Sequence, residues 1–162
     1  MPASAADTGF IMAAERQPGY ELHVGRWEEE RHRAAMSDGR HAYFIAHAGG
    51  EAAGFAIVRD WGSPEQVAMV KRIAVVNPGR GIGREVMAAL VDRVFGETDA
   101  WRLWLGHFPE NVRAHRAYLA CGFVAEGVAR GSAWFGGVHR DEQIMAILRP
   151  EWEARRRDLA SA

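Results

Sequence analysis

Residues 70–90 read VKRIAVVNPGRGIGREVMAAL: an apolar run, a glycine-rich turn and an amphipathic stretch follow one another in that order. The apolar part, Val67 to Val76, is rich in β-branched residues and predicts a buried strand. Asn77, Pro78 and Gly79 end it, and from Gly83 to Phe95 apolar residues recur at helical spacing. A helix that starts this way exposes N–H groups without partners at the positive end of its dipole. Gly79, Gly81 and Gly83 let an anion approach them closely, and Arg80 and Arg84 add cationic side chains. The segment reads as a cradle for a pyrophosphate or a 3'-phosphate, with a plain tight turn as the alternative, because a short glycine pattern alone is weak evidence. It lacks the Gly-Lys-Ser/Thr ending of a Walker loop and the acidic residue of a dinucleotide site, so ATP and NAD fit poorly.

Working outward, further strands are predicted at His41 to Ala48, Ala52 to Arg59, Arg102 to His107 and Gln143 to Leu148. Gly49, Gly50 and Glu51 join the first two as an antiparallel hairpin. Helical periodicity marks Trp27 to Met36 and Asn111 to Ala120. The expected order is strand, helix, three strands, helix, strand, helix, strand: an α/β (α+β) domain with a mixed sheet and helices on its faces. Met1 to Gly9 reads as a frayed lead-in. The tail from Pro150 to Ala162 reads as solvated surface, or as a short helix with Trp152 as its only large anchor.

A second constellation lies in the later helix. Asn111, Ala114 and Tyr118 are spaced three and four apart and share one helix face, which places an amide and a phenol side by side. Gly122 is expected to supply a left-handed cap before Phe123 returns to the sheet. Taken singly, Asn111 reads as a helix N-cap and Tyr118 as a partly buried aromatic.

Together, Ile73-Ala74-Val75 with Gly81-Ile82-Gly83, and Asn111-x-x-Ala114-x-x-x-Tyr118-x-x-x-Gly122-Phe123 about thirty residues on, resemble the two signature motifs of the GNAT N-acetyltransferases. The resemblance covers residues 43–148, the expected acetyl-CoA-binding core. Residues 1–39 match only in element order and form the expected acceptor side, within one domain spanning 1–162. It implies a single GNAT-type central sheet, mostly antiparallel, with helices on both faces. Acetyl-CoA is the implied co-substrate. Ile73, Ala74 and Val75 would pair with its pantetheine arm, and the loop Gly79, Arg80, Gly81, Ile82, Gly83 and Arg84 would hold the pyrophosphate. Asn111 and Tyr118 would flank the thioester.

The chain departs from the family at two places. Pro78 stands where the loop commonly begins with Gln or Arg, and Gly106 stands where ribosomal-protein acetyltransferases of the family carry a Glu base. Acetyl transfer needs a neutral amine, donors for a developing oxyanion and an acid for the departing thiolate. The family resemblance puts the oxyanion donor on a backbone N–H near Val75. Tyr118 is the expected acid, since a phenol with a pKa of about 10 stays protonated at neutral pH. His107 is the first candidate base by intrinsic pKa, although strand alternation turns it away from the Gly106 face. Glu65 and Glu110 are weaker candidates. Trp104 shares the face of Gly106, as an acceptor wall or as plain core. Cys121 has no adjacent His to make it a thiolate, so direct transfer is expected rather than an acetyl-cysteine.

Composition narrows the remaining choices. The 162 residues carry a net charge of -1, so no overall field draws the protein to nucleic acid or membrane, and the expected acceptor is a small-molecule amine. A peptide N-terminus, and a catalytically silent acyl-CoA-binding domain, remain the alternatives. One cysteine excludes an intramolecular disulfide and a cysteine zinc site, which suits the cytoplasm; the histidines show no ligand spacing and no metal is expected. A homodimer is a family-level expectation.

Overall fold

The computed structural model describes Met1–Ala162. Its strands are β1 (His41–Ala48), β2 (Glu51–Arg59), β3 (Val67–Val75), β4 (Arg102–His107), β5 (Val124–Phe135) and β6 (Val138–Leu148). The helices are α1 (Thr8–Glu15), α2 (Glu29–Ser37), α3 (Ile82–Glu97), α4 (Val112–Ala120) and α5 (Arg149–Ala160). One sheet runs β1-β2-β3-β4-β6-β5, with β3 and β4 parallel and every other neighbour antiparallel. This is the mixed, mostly antiparallel sheet expected from the sequence.

Strand alternation sorts the apolar residues onto two faces. Ala56, Val58, Val70, Leu103, Leu105, Met145 and Ile147 form one core with Met87, Leu90, Val91, Val94 and Phe95 of α3. Phe55, Ile57 and Ala74 point the other way and pack with Ile11 and Ala14 of α1, Ala35 of α2 and Trp27. A buried polar cluster ties this second layer down. Glu15 of α1 is fully buried, pairs with Arg72 of β3, and meets His32 of α2, which in turn meets the Tyr43 hydroxyl of β1.

Several expectations are corrected. No strand precedes the first helix; Met1 to Ala3 instead lie along β1, with Ala3 N–H donating to the Tyr43 carbonyl and Ile45 N–H to that of Met1. The first segment is thus held by backbone hydrogen bonds rather than frayed, and α1 follows it. Strand β5 was not anticipated: it is an exposed edge broken by bulges near Gly127 and Gly131, both at positive φ, so it carries no apolar alternation to read. Strand β6 starts at Val138, five residues before the apolar run that betrayed it. The tail forms α5, with no residue fully buried; Trp152 packs on Phe95 and its Nε1–H donates to Asp92 at 2.6 Å.

Candidate active site

The sheet is not continuous through its middle. β3 pairs with β4 only at Val67–Arg102, Ala68–Leu103 and Met69–Trp104, yet β3 runs on to Val75 alongside β2, and β4 to His107 alongside β6. Beyond Met69 and Trp104 the two strands part. Val76 N–H bonds to Ala53 of β2, so by alternation the peptide groups of Ile73 and Val75 face the gap. Those of Ala74 face β2. A cleft of about 1260 Å³ passes through this parting and opens on both faces of the sheet, room enough for a ligand larger than an ordinary metabolite.

The glycine loop closes one end of the cleft. Gly81 (φ 79°) is the N-cap of α3 and lies in the left-handed region that glycine tolerates, and it brings no capping side chain. The N–H groups of Ile82 and Gly83 therefore have no partner in the protein. Arg84 and Glu85 N–H bond back to the Gly81 carbonyl and begin the helix. Arg80 and Arg84 are exposed beside the loop, and the Arg113 guanidinium of α4 comes within 3.9 Å of where a Gly79 Cβ would stand. The loop has the left-handed glycine and the unpartnered N–H groups that an anion cradle needs, and Arg113 is a cation beside it that the sequence did not reveal.

Helix α4 supplies the next wall. Asn111 caps it, its side-chain oxygen accepting from Ala114 N–H at 3.3 Å, and Gly122 (φ 99°) ends it as expected. Tyr118 reaches the cleft with its hydroxyl free of any hydrogen bond within the protein; burial, then the nearby Tyr20 and Cys121, push that hydroxyl up to about 12. His107 lies on the same side, its ring 5.8 Å from that of Tyr118. Its Nδ1 meets the Phe108 carbonyl at 2.9 Å and so donates, which leaves Nε2 to accept from His115 Nδ1 at 3.0 Å. Burial holds its pKa below the usual range. Cys121 Sγ donates to the Arg84 carbonyl, and burial raises its thiol.

The opposite mouth has different chemistry. Trp104 and Gly106 share its floor, as alternation predicts, and Lys71 stands beside them. The ladder skips Lys71 between the pairs Ile57–Arg72 and Val58–Val70, a bulge that re-aims its side chain. Burial, then Arg59 and Arg72, hold its ammonium below the usual lysine range, with Glu142 acting the other way. Tyr20, from the segment after α1, reaches the parting itself: its hydroxyl donates to the Val75 carbonyl at 2.9 Å, where Gln17 Nε2 also donates, and lies 3.4 Å from Val75 N–H. Of the weaker base candidates, Glu65 accepts from Ser63 in the β2–β3 turn and Glu110 is paired with Arg140. A charged pair inside an apolar run, Lys71-Arg72, was a legible anomaly; nothing in the sequence pointed to Tyr20, Arg113 or Glu142.

A split parallel pair with a glycine-started helix at its end leaves a cleft through the middle of the sheet with free N–H groups at one end. Residues 10–123, more than half of the chain, match the model described as Acetyltransferase (GNAT) family. The chain belongs to the GNAT acetyltransferase family. A 75-residue stretch is 37% identical to the probable N-acetyltransferase YjcK of Bacillus subtilis (strain 168), covering 46% of this chain and 41% of that relative. The match thus spans less than half of the relative's length. Among solved structures, a mutant of spermidine N-acetyltransferase SpeG from Vibrio cholerae superposes with a TM-score of 0.81 at 20% identity, covering 96% of this chain and 98% of that one. The spermidine N-acetyltransferase of the same organism in complex with CoA and spermine gives 0.81 at 20%, covering 94% and 96%. At such identities the likeness concerns the fold. No helix is long and apolar enough to cross a membrane.

Proposed function

We propose that the chain moves the acetyl group of acetyl-CoA directly onto the primary amine of a small molecule. The observation that carries this reading is the parting of β3 from β4, which joins the anion cradle and Tyr118 on one face to Lys71, Trp104 and Glu142 on the other. Bound acetyl-CoA supplies an acyl group activated as a thioester. The free N–H groups of Ile82 and Gly83 bind phosphate oxygens, with Arg80, Arg84 and Arg113 as counter-charges. The Ile73 peptide groups offer the strand edge along which the carrier arm lies, whereas those of Val75 are engaged by Tyr20 and Gln17. Asn111 fixes the start of α4, and Tyr118 holds the proton that the departing sulfur takes; a hydroxyl raised to about 12 stays protonated at neutral pH. His107 and His115 brace the Tyr118 side, and for His107 to act as base its Nε2 would first have to leave His115.

The charges of the acceptor mouth narrow the amine. Arg31, Arg59 and Lys71 line it against Glu142, so a polycation meets repulsion where an amine bearing an anionic group meets partners. Calorimetric titration with acetyl-CoA, followed by thiol release on a panel of amines, tests the proposal. Binding, with amino-acid-like amines turned over at least tenfold faster in kcat/KM than spermidine, is the expected outcome. Preference for polyamines sinks the charge argument, and no binding of acetyl-CoA sinks the reading.

A further inference from the structure

Glycine at position 106 has a physical reason in the neighbouring strand. Gly106 of β4 pairs with Ile144 of β6, so Glu142, two residues along β6, shares its face of the sheet as the diagonal neighbour. A Cβ placed on Gly106 would lie 2.6 Å from Glu142 Oε2 and 3.1 Å from its Cδ. The Glu142 carboxylate thus fills the space from which a side chain at 106 would grow. Its Oε1 accepts from Ser132 Oγ of β5 at 2.8 Å, which fixes the group's orientation, while Oε2 has no partner in the protein. Of the other carboxylates at or near the cleft, Glu110 is paired with Arg140, Glu15 is held by Arg72 and His32, and Glu21 is exposed on the segment after α1 and accepts from Gly19 N–H. Glu142 lines the cleft beside Trp104 and Lys71, on the face opposite Tyr118.

We propose, resting on the acetyl-transfer reading above, that Glu142 is the general base for the acceptor amine, delivered from β6 across the gap that Gly106 leaves. As the nitrogen–carbon bond forms and the carbon–sulfur bond breaks, Glu142 takes the proton leaving the nitrogen and Tyr118 gives its hydroxyl proton to the sulfur. Water then returns the proton on Glu142 to Tyr118, so one amide and one thiol are formed and both residues are restored. The two groups reach the parting from opposite faces, Glu142 toward the nitrogen and Tyr118 toward the sulfur.

Thiol-release kinetics on the full chain test this. Turnover by the unaltered protein is established first, so that absence of any acceptor counts against the acetyl-transfer reading and a normal variant rate against this assignment alone. Glu142→Gln keeps the size of the side chain and an oxygen for Ser132, and it is expected to lower kcat at least a hundredfold with acetyl-CoA affinity within twofold. Adding Gly106→Glu to Glu142→Ala returns a carboxylate to the same space from β4 and is expected to recover at least tenfold over Glu142→Ala. A Glu142→Gln enzyme within threefold of the unaltered kcat, or a double variant no faster than Glu142→Ala, overturns the proposal.

Discussion

Tyr118 is the residue on which sequence and structure converge most directly. Its helix spacing with Asn111 was legible because a helix repeats every 3.6 residues, and the hydroxyl enters the cleft without a protein partner. Tyr118→Phe removes one oxygen and no packing, so kcat is expected to fall about a hundredfold with little change in acetyl-CoA affinity, read by steady-state kinetics and titration side by side. An equal loss of both would mean that the phenol serves binding instead. Glu142 was not legible for an equally physical reason: it meets Gly106 only through a cross-strand diagonal, and that register is set by β4–β6 pairing rather than by any local pattern. The glycine that seemed to remove a function marks where another strand's side chain lies.

At the scale of elements, the strand–loop–helix segment around β3 was the most readable part, since apolar density, turn residues and helical period change within twenty residues. Strand β5 and the Met1–Ala3 segment were not readable, because both are fixed by backbone pairing to a neighbour and neither carries an apolar signature. Backbone closeness also explains Gly54 of β2, opposite Val75. A Cβ there would stand 2.6 Å from the Ala74 carbonyl oxygen and 3.1 Å from Val75 Cα, with no flexible side chain to give way. Gly54→Ala should therefore push β3 toward the parting, destabilising the protein by about 1–3 kcal/mol and weakening acetyl-CoA binding. Thermal unfolding and titration of the variant would show it, and an unchanged melting temperature would contradict it.

For the whole molecule, the cohesion of the second layer rests on one buried charge cluster. Glu15 is desolvated by burial, which raises its pKa, but His32 and Arg72 outweigh this and hold the carboxyl below its ordinary value. A group depressed in the folded state contributes stability above its unfolded pKa of about 4.3 and loses it as the pH falls through the lower folded value. Glu15→Gln leaves Arg72 buried without its counter-charge, an expected cost of about 3–5 kcal/mol at neutral pH. The same substitution should flatten the loss of stability on the acid side, as followed by denaturant unfolding at several pH values. A variant as stable as the parent would show that Arg72 finds water instead.

The parting of β3 and β4 also bears on how the molecule keeps to itself. An open sheet has two outer borders, and this one, by opening in the middle, acquires two more rows of unsatisfied peptide groups of the kind that recruit foreign strands into fibrils. The inner rows face each other, with the Tyr20 phenol and the Gln17 amide closing on Val75, so a stranger's extended chain finds no straight approach. The outer borders are blunted by cruder means: Met1 to Ala3 lie along β1, and bulges and charges at Glu126 and Arg130 interrupt β5. The backbone most open to a foreign strand is thereby turned inward, where the opposite strand and the Tyr20 and Gln17 side chains leave only a narrow gap.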